Sequence, residues 1–404
     1  MSATTTARRI ELAQRARTFP VGSFRAIGLA ATAIGLVLLL LSLKAHAGRV
    51  WSAYHFNFVF WLGLAEASVV VAASQKLAKG HWSGLVIRLA EASVAFLPVA
   101  VVLFFASYLG RSYIYPWVST PRTDLGWWLS PTWFYVRDGA VLIVMSWLSW
   151  RFVRSDMAPD VAELATGKPV DPSAEERGLI TRDAALVAIA FAFGLSIIAF
   201  DTVMSLAHRW VSNLYGAFYF MGSFLCALMW LAVLSIRMRR RMDLGDLYSR
   251  RQQHDLGKLC FGFTVFWAYL MFAQFLVIWY GNLPDETYFI FYRLWGPWRP
   301  VGVAVFLLVF LIPFIGLLGA RPKRSSAWLL GIALLSVAGI WLERFYEIVP
   351  SLNGGAGPAI GVPELGALLL MGGLYALSYS WFAGRYPMVS PRLAADTLER
   401  EHGH

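Results

Sequence analysis

Three residues in the first quarter of the chain have the types and spacing to pass protons: His55, Glu66 and Glu91. Each lies in or beside a long apolar run. Eleven positions separate His55 from Glu66. On an α-helix that puts them about 20° apart around the axis and about 16 Å apart along it. Glu91 follows Arg88 by three positions and shares its helix face. Ionisable side chains inside a bilayer are costly, and by default they mark function. In order of depth, Glu91 falls near the inner end of its span, Glu66 near the middle and His55 toward the outer end, as a proton path requires.

A second set gathers on the outer side: Arg137, Asp138, Asp201, His208, Gln274, Tyr280, Glu343, Arg344 and Glu347. Glu343 and Glu347 are four apart and share a face. The set could form a pocket for the polar head of a quinone or an exit for protons. The alternative is a collection of snorkelling or mutually paired interfacial charges. Haem needs histidine pairs on facing helices. Of the seven histidines only His55 lies clearly within a span, so the chain holds no haem of its own. Cys226 and Cys260 match no metal or disulfide spacing and read as core residues. No nucleotide loop or nucleophile triad is present.

The elements that must position these groups follow from composition. The chain has 404 residues, 58% hydrophobic and 15% charged. Soluble domains carry about 25% charged residues, which excludes a soluble enzyme, a disordered scaffold and a disulfide-stapled domain. The apolar runs are continuous rather than alternating, which excludes a β-barrel. The pattern predicts an all-α integral membrane protein with ten spans of about 20 residues, at 26–46, 52–76, 88–110, 133–153, 184–207, 211–236, 258–281, 300–319, 327–349 and 361–384. The break at 208–210 is the shortest. The segment 154–183 reads as a solvated crossing.

Of the 35 Lys and Arg residues, 26 fall on one side of this arrangement and 9 on the other. Both termini are therefore expected in the cytoplasm. The same rule accounts for the net charge of +11 without a nucleic-acid partner. The expected division is a cytoplasmic segment 1–25, a transmembrane domain 26–384 and a cytoplasmic tail 385–404. No cleavable signal peptide is expected. Residues 7–20 read either as an interfacial helix or as a solvated tail. The outer loops are rich in aromatics, among them Tyr113, Trp127, Trp128, Trp279, Tyr292 and Trp295. They exceed an interface belt and suit docking of a partner subunit. A short echo between Phe56–Trp61 and Phe261–Trp267 is no longer than chance provides.

Three stretches carry a family resemblance: Arg88-Leu-Ala-Glu91-Ala; Phe200-Asp201-Thr-Val-Met-Ser205, continuing through Trp210 to Tyr219; and His254-Asp255-Leu-Gly257-Lys258 through Trp267, Gln274 and Trp279-Tyr280-Gly-Asn282. Together they resemble the NrfD/polysulfide-reductase-like membrane subunits of bacterial alternative complex III, with the pattern of the shorter of its two such subunits. The resemblance implies a pair of four-helix bundles with flanking helices in the bacterial inner membrane. It implies quinol (menaquinol or ubiquinol) oxidation coupled to proton translocation. It also implies a sister membrane subunit, a periplasmic iron–sulfur/molybdopterin-like subunit and c-type cytochrome subunits that hold the iron–sulfur clusters and haem c. By the same resemblance Asp201, His254, Asp255, Lys258 and Gln274 are functional positions. The rival readings are a secondary transporter, for which Pro98 and Pro313 would interrupt the third and eighth spans, and a purely structural anchor.

Overall fold

The structure is a computed structural model that describes residues 19–80, 84, 86–121, 126–207, 210–242, 248–393 and 395. Among the described residues there is no β-strand. The helices are α1 (Val21–Leu77), α2 (Ile87–Ile114), α3 (Pro131–Thr166), α4 (Ala174–Thr202), α5 (Tyr215–Arg241), α6 (Arg250–Gly281), α7 (Pro284–Leu294), α8 (Gly296–Gly316), α9 (Ala320–Arg324), α10 (Ser326–Leu352) and α11 (Val362–Ala383). All except α3, α7 and α9, eight among the described residues, are long and apolar enough to cross a membrane. Large apolar side chains point outward along them, including Leu41 at 73% exposure and Leu109 at 77%. Lipid, not water, suits such a surface.

The 57 residues of α1 hold two arms, because the backbone leaves helical geometry at His46 (φ −141°, ψ 48°). In the first arm Gly28 lies beside Leu377 and Gly373, and Gly35 beside Leu370 and Gly366. In the second arm Asn57 reaches the Glu364 carbonyl, and Trp61 packs on Tyr375. The first arm therefore runs antiparallel to α11 and the second parallel to it, so the chain reverses at His46. The first two predicted spans are these two arms. A Cβ on Gly28 would stand 2.9 Å from Leu377 Cγ, so small residues here permit the backbone approach that packs helices in lipid. Arg49 pins the reversal with two 2.7 Å bonds to the Glu364 carboxylate.

The second arm of α1 packs with α2, α3 and α4. The helices α5, α6, α8 and α10 pack as another group; α5 also touches α1 and α4, and α10 touches α1 through Trp341 and Phe345 against Phe56. Two predicted boundaries need correction. The segment 154–166 is not a solvated crossing but the end of α3, with Asp156, Asp160 and Glu163 buried on one face. The charges suggested solvent, yet they extend the face that Ser149 begins, and α3 stops only at Gly167 (φ 65°). Ahead of the predicted fifth span, α4 starts at a Ser173/Glu176 capping box. Two helices are interrupted: α2 tightens to a 3-10 turn at Ala92–Phe96 before Pro98, and α8 widens to a π turn at Phe306–Leu311 before Pro313.

Candidate functional site

In the first group the buried polar residues form a column along α1 and α3. At one end Asp201 accepts from Trp128 Nε1 at 2.9 Å and from Arg137 Nη2 at 2.6 Å. Arg137 also donates to Asp138 at 3.1 Å and stacks its guanidinium 3.8 Å over the Trp128 ring. His55 Nε2 donates to the carbonyl of Thr202, next to Asp201, at 2.7 Å. Its Nδ1 is then left as an acceptor, buried and unpartnered, as is Asp138 Oδ2. At mid-column Glu66 accepts one bond from Ser149 Oγ at 3.1 Å, and its other oxygen is bare.

The other end is a knot of charges. Arg88 contacts Glu91 and bonds Asp156 at 2.8 Å and Asp160 at 2.6 Å. Lys76 reaches Asp156 at 2.8 Å, and Arg392 stands 4.0 Å from Asp156 and 3.9 Å from Asp160. The C-terminal segment thus packs over this end, with Met388, Val389 and Ser390 fully buried. Three acids here face three basic side chains, Arg88, Lys76 and Arg392. From His55 to Lys76 the column spans about 30 Å of helix, close to the thickness of a bilayer core.

The predicted outer set divides into two. Asp138 and Asp201 belong to the column with His55. Glu343 and Glu347 sit in the second group, so they share no pocket with the first pair. Glu343 accepts from Trp267 Nε1 at 2.8 Å, and its Oε2 is unpartnered. Arg344 bonds Glu347 at 2.8 Å, donates to the Tyr219 carbonyl at 3.1 Å and lies 4.4 Å over that ring. Tyr215 donates to Glu347 at 3.0 Å. Arg344 and Glu347 are buried side chains, not snorkelling interfacial charges. Tyr280 is 85% exposed and takes no part in either cluster. His208 lies outside the described residues. Tyr219 touches both sides: its ring lies against Arg344, and its hydroxyl donates to the Val59 carbonyl at 2.8 Å, about two turns from Glu66.

Glu343 and Glu347 border a cavity of about 390 Å³ between α5, α6, α7, α8 and α10. Its walls are mainly apolar and aromatic, with Trp210 stacked flat on Phe289 at 3.7 Å. Gln274 lines it and accepts from Ser212 at 3.2 Å. Arg293 lines it too, anchored on the Phe289 and Glu347 carbonyls, with its Nε unpartnered. A cavity with few polar groups among apolar walls suits an amphiphile with a hydrogen-bonding head.

Of the inner-side positions, Asp255 and Lys258 pair at 2.7 Å near the surface, and His254 lies beside them in a cleft with Arg250, Arg251 and Arg324. Burial, together with the nearby Lys258 ammonium, pushes the Lys323 amine below its ordinary range. The outer aromatics divide: Trp127, Trp279 and Trp295 are exposed, whereas Tyr115, Trp117 and Trp298 are core. Both cysteines are buried and free.

Sequence reasoning missed Asp156, Asp160, Lys76 and Arg392 at the charge knot. Spacing could have found the first two. Asp138, Ser149, Asp156 and Asp160 recur at helical intervals on one face of α3. Lys76 and Arg392 carry no such signal, because they arrive from separate elements. Compared with family models and with curated proteins, the chain matches none.

Proposed function

We propose that this chain is an integral membrane subunit of a respiratory quinol:cytochrome c, or quinol:oxidase, oxidoreductase of the alternative complex III type. In this reading it crosses the bacterial cytoplasmic membrane ten times, by the two arms of α1, by α3 and by the seven other long apolar helices, with both termini inside. It moves protons along the column and receives the quinol head in the cavity of the second group. The observation that carries the reading is the column, which sets buried titratable groups at both ends and the middle of one helix group.

The chemistry follows from the bonds. A quinol gives up two protons and two electrons on oxidation. Buried carboxyl groups beside the cavity take the protons, with the bare oxygen of Glu343 the best placed. The electrons pass to iron–sulfur clusters and haem c in partner subunits, for which the exposed outer aromatics provide a docking surface. Within the column Glu66 lies about 16 Å along the helix from His55 on one side and about 15 Å from Lys76 on the other. A proton hop needs hydrogen-bond distance, so ordered water would complete the line, with the bare Glu66 oxygen as its central acceptor.

The helix interruptions at Ala92–Phe96 and Phe306–Leu311 favour a second reading, a secondary transporter, since such proteins bind solutes at broken helices. Purification of the tagged protein in mild detergent separates the two. Haem c absorbance, with co-purifying cytochrome and iron–sulfur subunits, is the outcome expected for the respiratory complex. A colourless, partner-free protein that exchanges solute in vesicles would overturn it.

A further inference from the structure

At the end of the molecule where α5 stops and α6 begins, two clefts of about 540 and 570 Å³ adjoin. Arg250 and Arg324 line both. Arg251, His254 and Lys258 complete one, and Arg239 and Arg321 the other. Among the described residues the only acid lining either is Asp255, and it is already paired with Lys258 at 2.7 Å. These cations come from α5, α6 and α9, three separate elements. An excess of Lys and Arg on an inner face is ordinary. Their convergence on two hollows that share two arginines is a more specific arrangement.

The rest of the wall has the same electrostatic sense. Ser325 and Ser326 line the second cleft at the start of the 27-residue α10. Ser325 makes no capping bond, and the Ser326 hydroxyl is turned to Gln253 at 2.7 Å. The positive end of α10 thus adds to the arginines. Apolar surface continues directly from this basic floor. Trp328, two residues beyond Ser326, is 53% exposed and donates to the Gly316 carbonyl at 2.8 Å. Ile315 and Leu318, on either side of Gly316, are 65% and 62% exposed.

We infer that these clefts form a binding site for the phosphate-bearing headgroup of an anionic phospholipid, with its acyl chains lying along Ile315, Leu318 and Trp328. Arginine guanidinium groups fit phosphate oxygens in pairs. Basic pockets between membrane helices on the cytoplasmic side hold such headgroups. The apolar strip distinguishes a lipid from a free phosphate, which would need only the cations.

The test is native mass spectrometry of the full-length protein, with whatever partners co-purify, released from nanodiscs of equal phosphatidylglycerol and phosphatidylcholine. The wild type is expected to retain phosphatidylglycerol in preference to phosphatidylcholine. The double variant Arg250→Gln/Arg324→Gln should weaken retention about tenfold. Both side chains are exposed, so folding is expected to survive. Arg237→Gln/Arg240→Gln removes the same charge from exposed positions outside the clefts and should retain lipid as the wild type does. Equal losses in the two doubles would overturn the site in favour of diffuse surface charge. Displacement of the lipid by inorganic phosphate alone at equal concentration would overturn the lipid assignment.

Discussion

Glu66 and Glu343 are the same side chain in nearly the same bonding state, one in each helix group. Each is about 1% exposed, each accepts one bond from a neutral donor, and each keeps one bare oxygen. Their neighbours differ. Glu343 has a guanidinium 3.7 Å away and borders a cavity. Glu66 has no ion-pair partner among the described residues and lies between packed helices. A buried carboxyl group that borders a cavity can meet a ligand directly and exchange a proton with it. One enclosed by helices, with no cation beside it, can exchange protons only along the helix group. In the proposed function the contrast gives the quinol site to the second group and onward proton transfer to the first.

The largest effect is expected at the charge knot around Arg88. Arg88→Met leaves Glu91, Asp156 and Asp160 with only Lys76 and the more distant Arg392. Stranding buried charge in this way costs about 3–5 kcal/mol. Thermal unfolding in detergent should show a loss of that order, and an unchanged midpoint would mean that water, not protein, surrounds the knot. Next comes Glu343→Gln. It keeps the bond from Trp267 but removes the ionisable group, and should weaken binding of a quinol analogue about tenfold, a loss of about 1.4 kcal/mol, with the protein still folded. Unchanged affinity would detach the cavity from the ligand.

A smaller effect is expected from Ser149→Ala, which removes the one hydrogen bond to Glu66 and should cost about 1 kcal/mol. Its proton movement should slow but persist, and complete loss would show that Ser149 is itself a relay member. The smallest effect belongs to Arg392→Gln. Its ion-pair contacts are near 4 Å and it is partly exposed, so about 0.5 kcal/mol or less is expected. A larger shift would mean that the C-terminal segment is latched through this residue.

Much of the first group was legible in the sequence. Long apolar runs specify the helices, and helical spacing by itself places His55 and Glu66 on one stripe. Two things were hidden. One was where α3 ends: its last turns are charged, and charge alone reads as solvent until the acids are seen to continue one buried face. The other was which outer charges meet. Depth along a span can be estimated from sequence, but the partner helix cannot. Asp201 and Glu343 share a depth in the sequence reading although they sit in different helix groups. Arg392 shows the same limit, since a tail residue has no periodicity to reveal its contact with Asp156.

The central claim is that Glu66 carries protons and does not merely pack. Glu66→Gln preserves its size and the Ser149 contact while removing the exchangeable charge. The complex should be reconstituted in liposomes with a pH-sensitive dye, and protons counted per electron during quinol turnover. The account predicts normal assembly and a clearly lower proton-to-electron ratio in the variant. An unchanged ratio at normal turnover would contradict it and leave the column as structure alone.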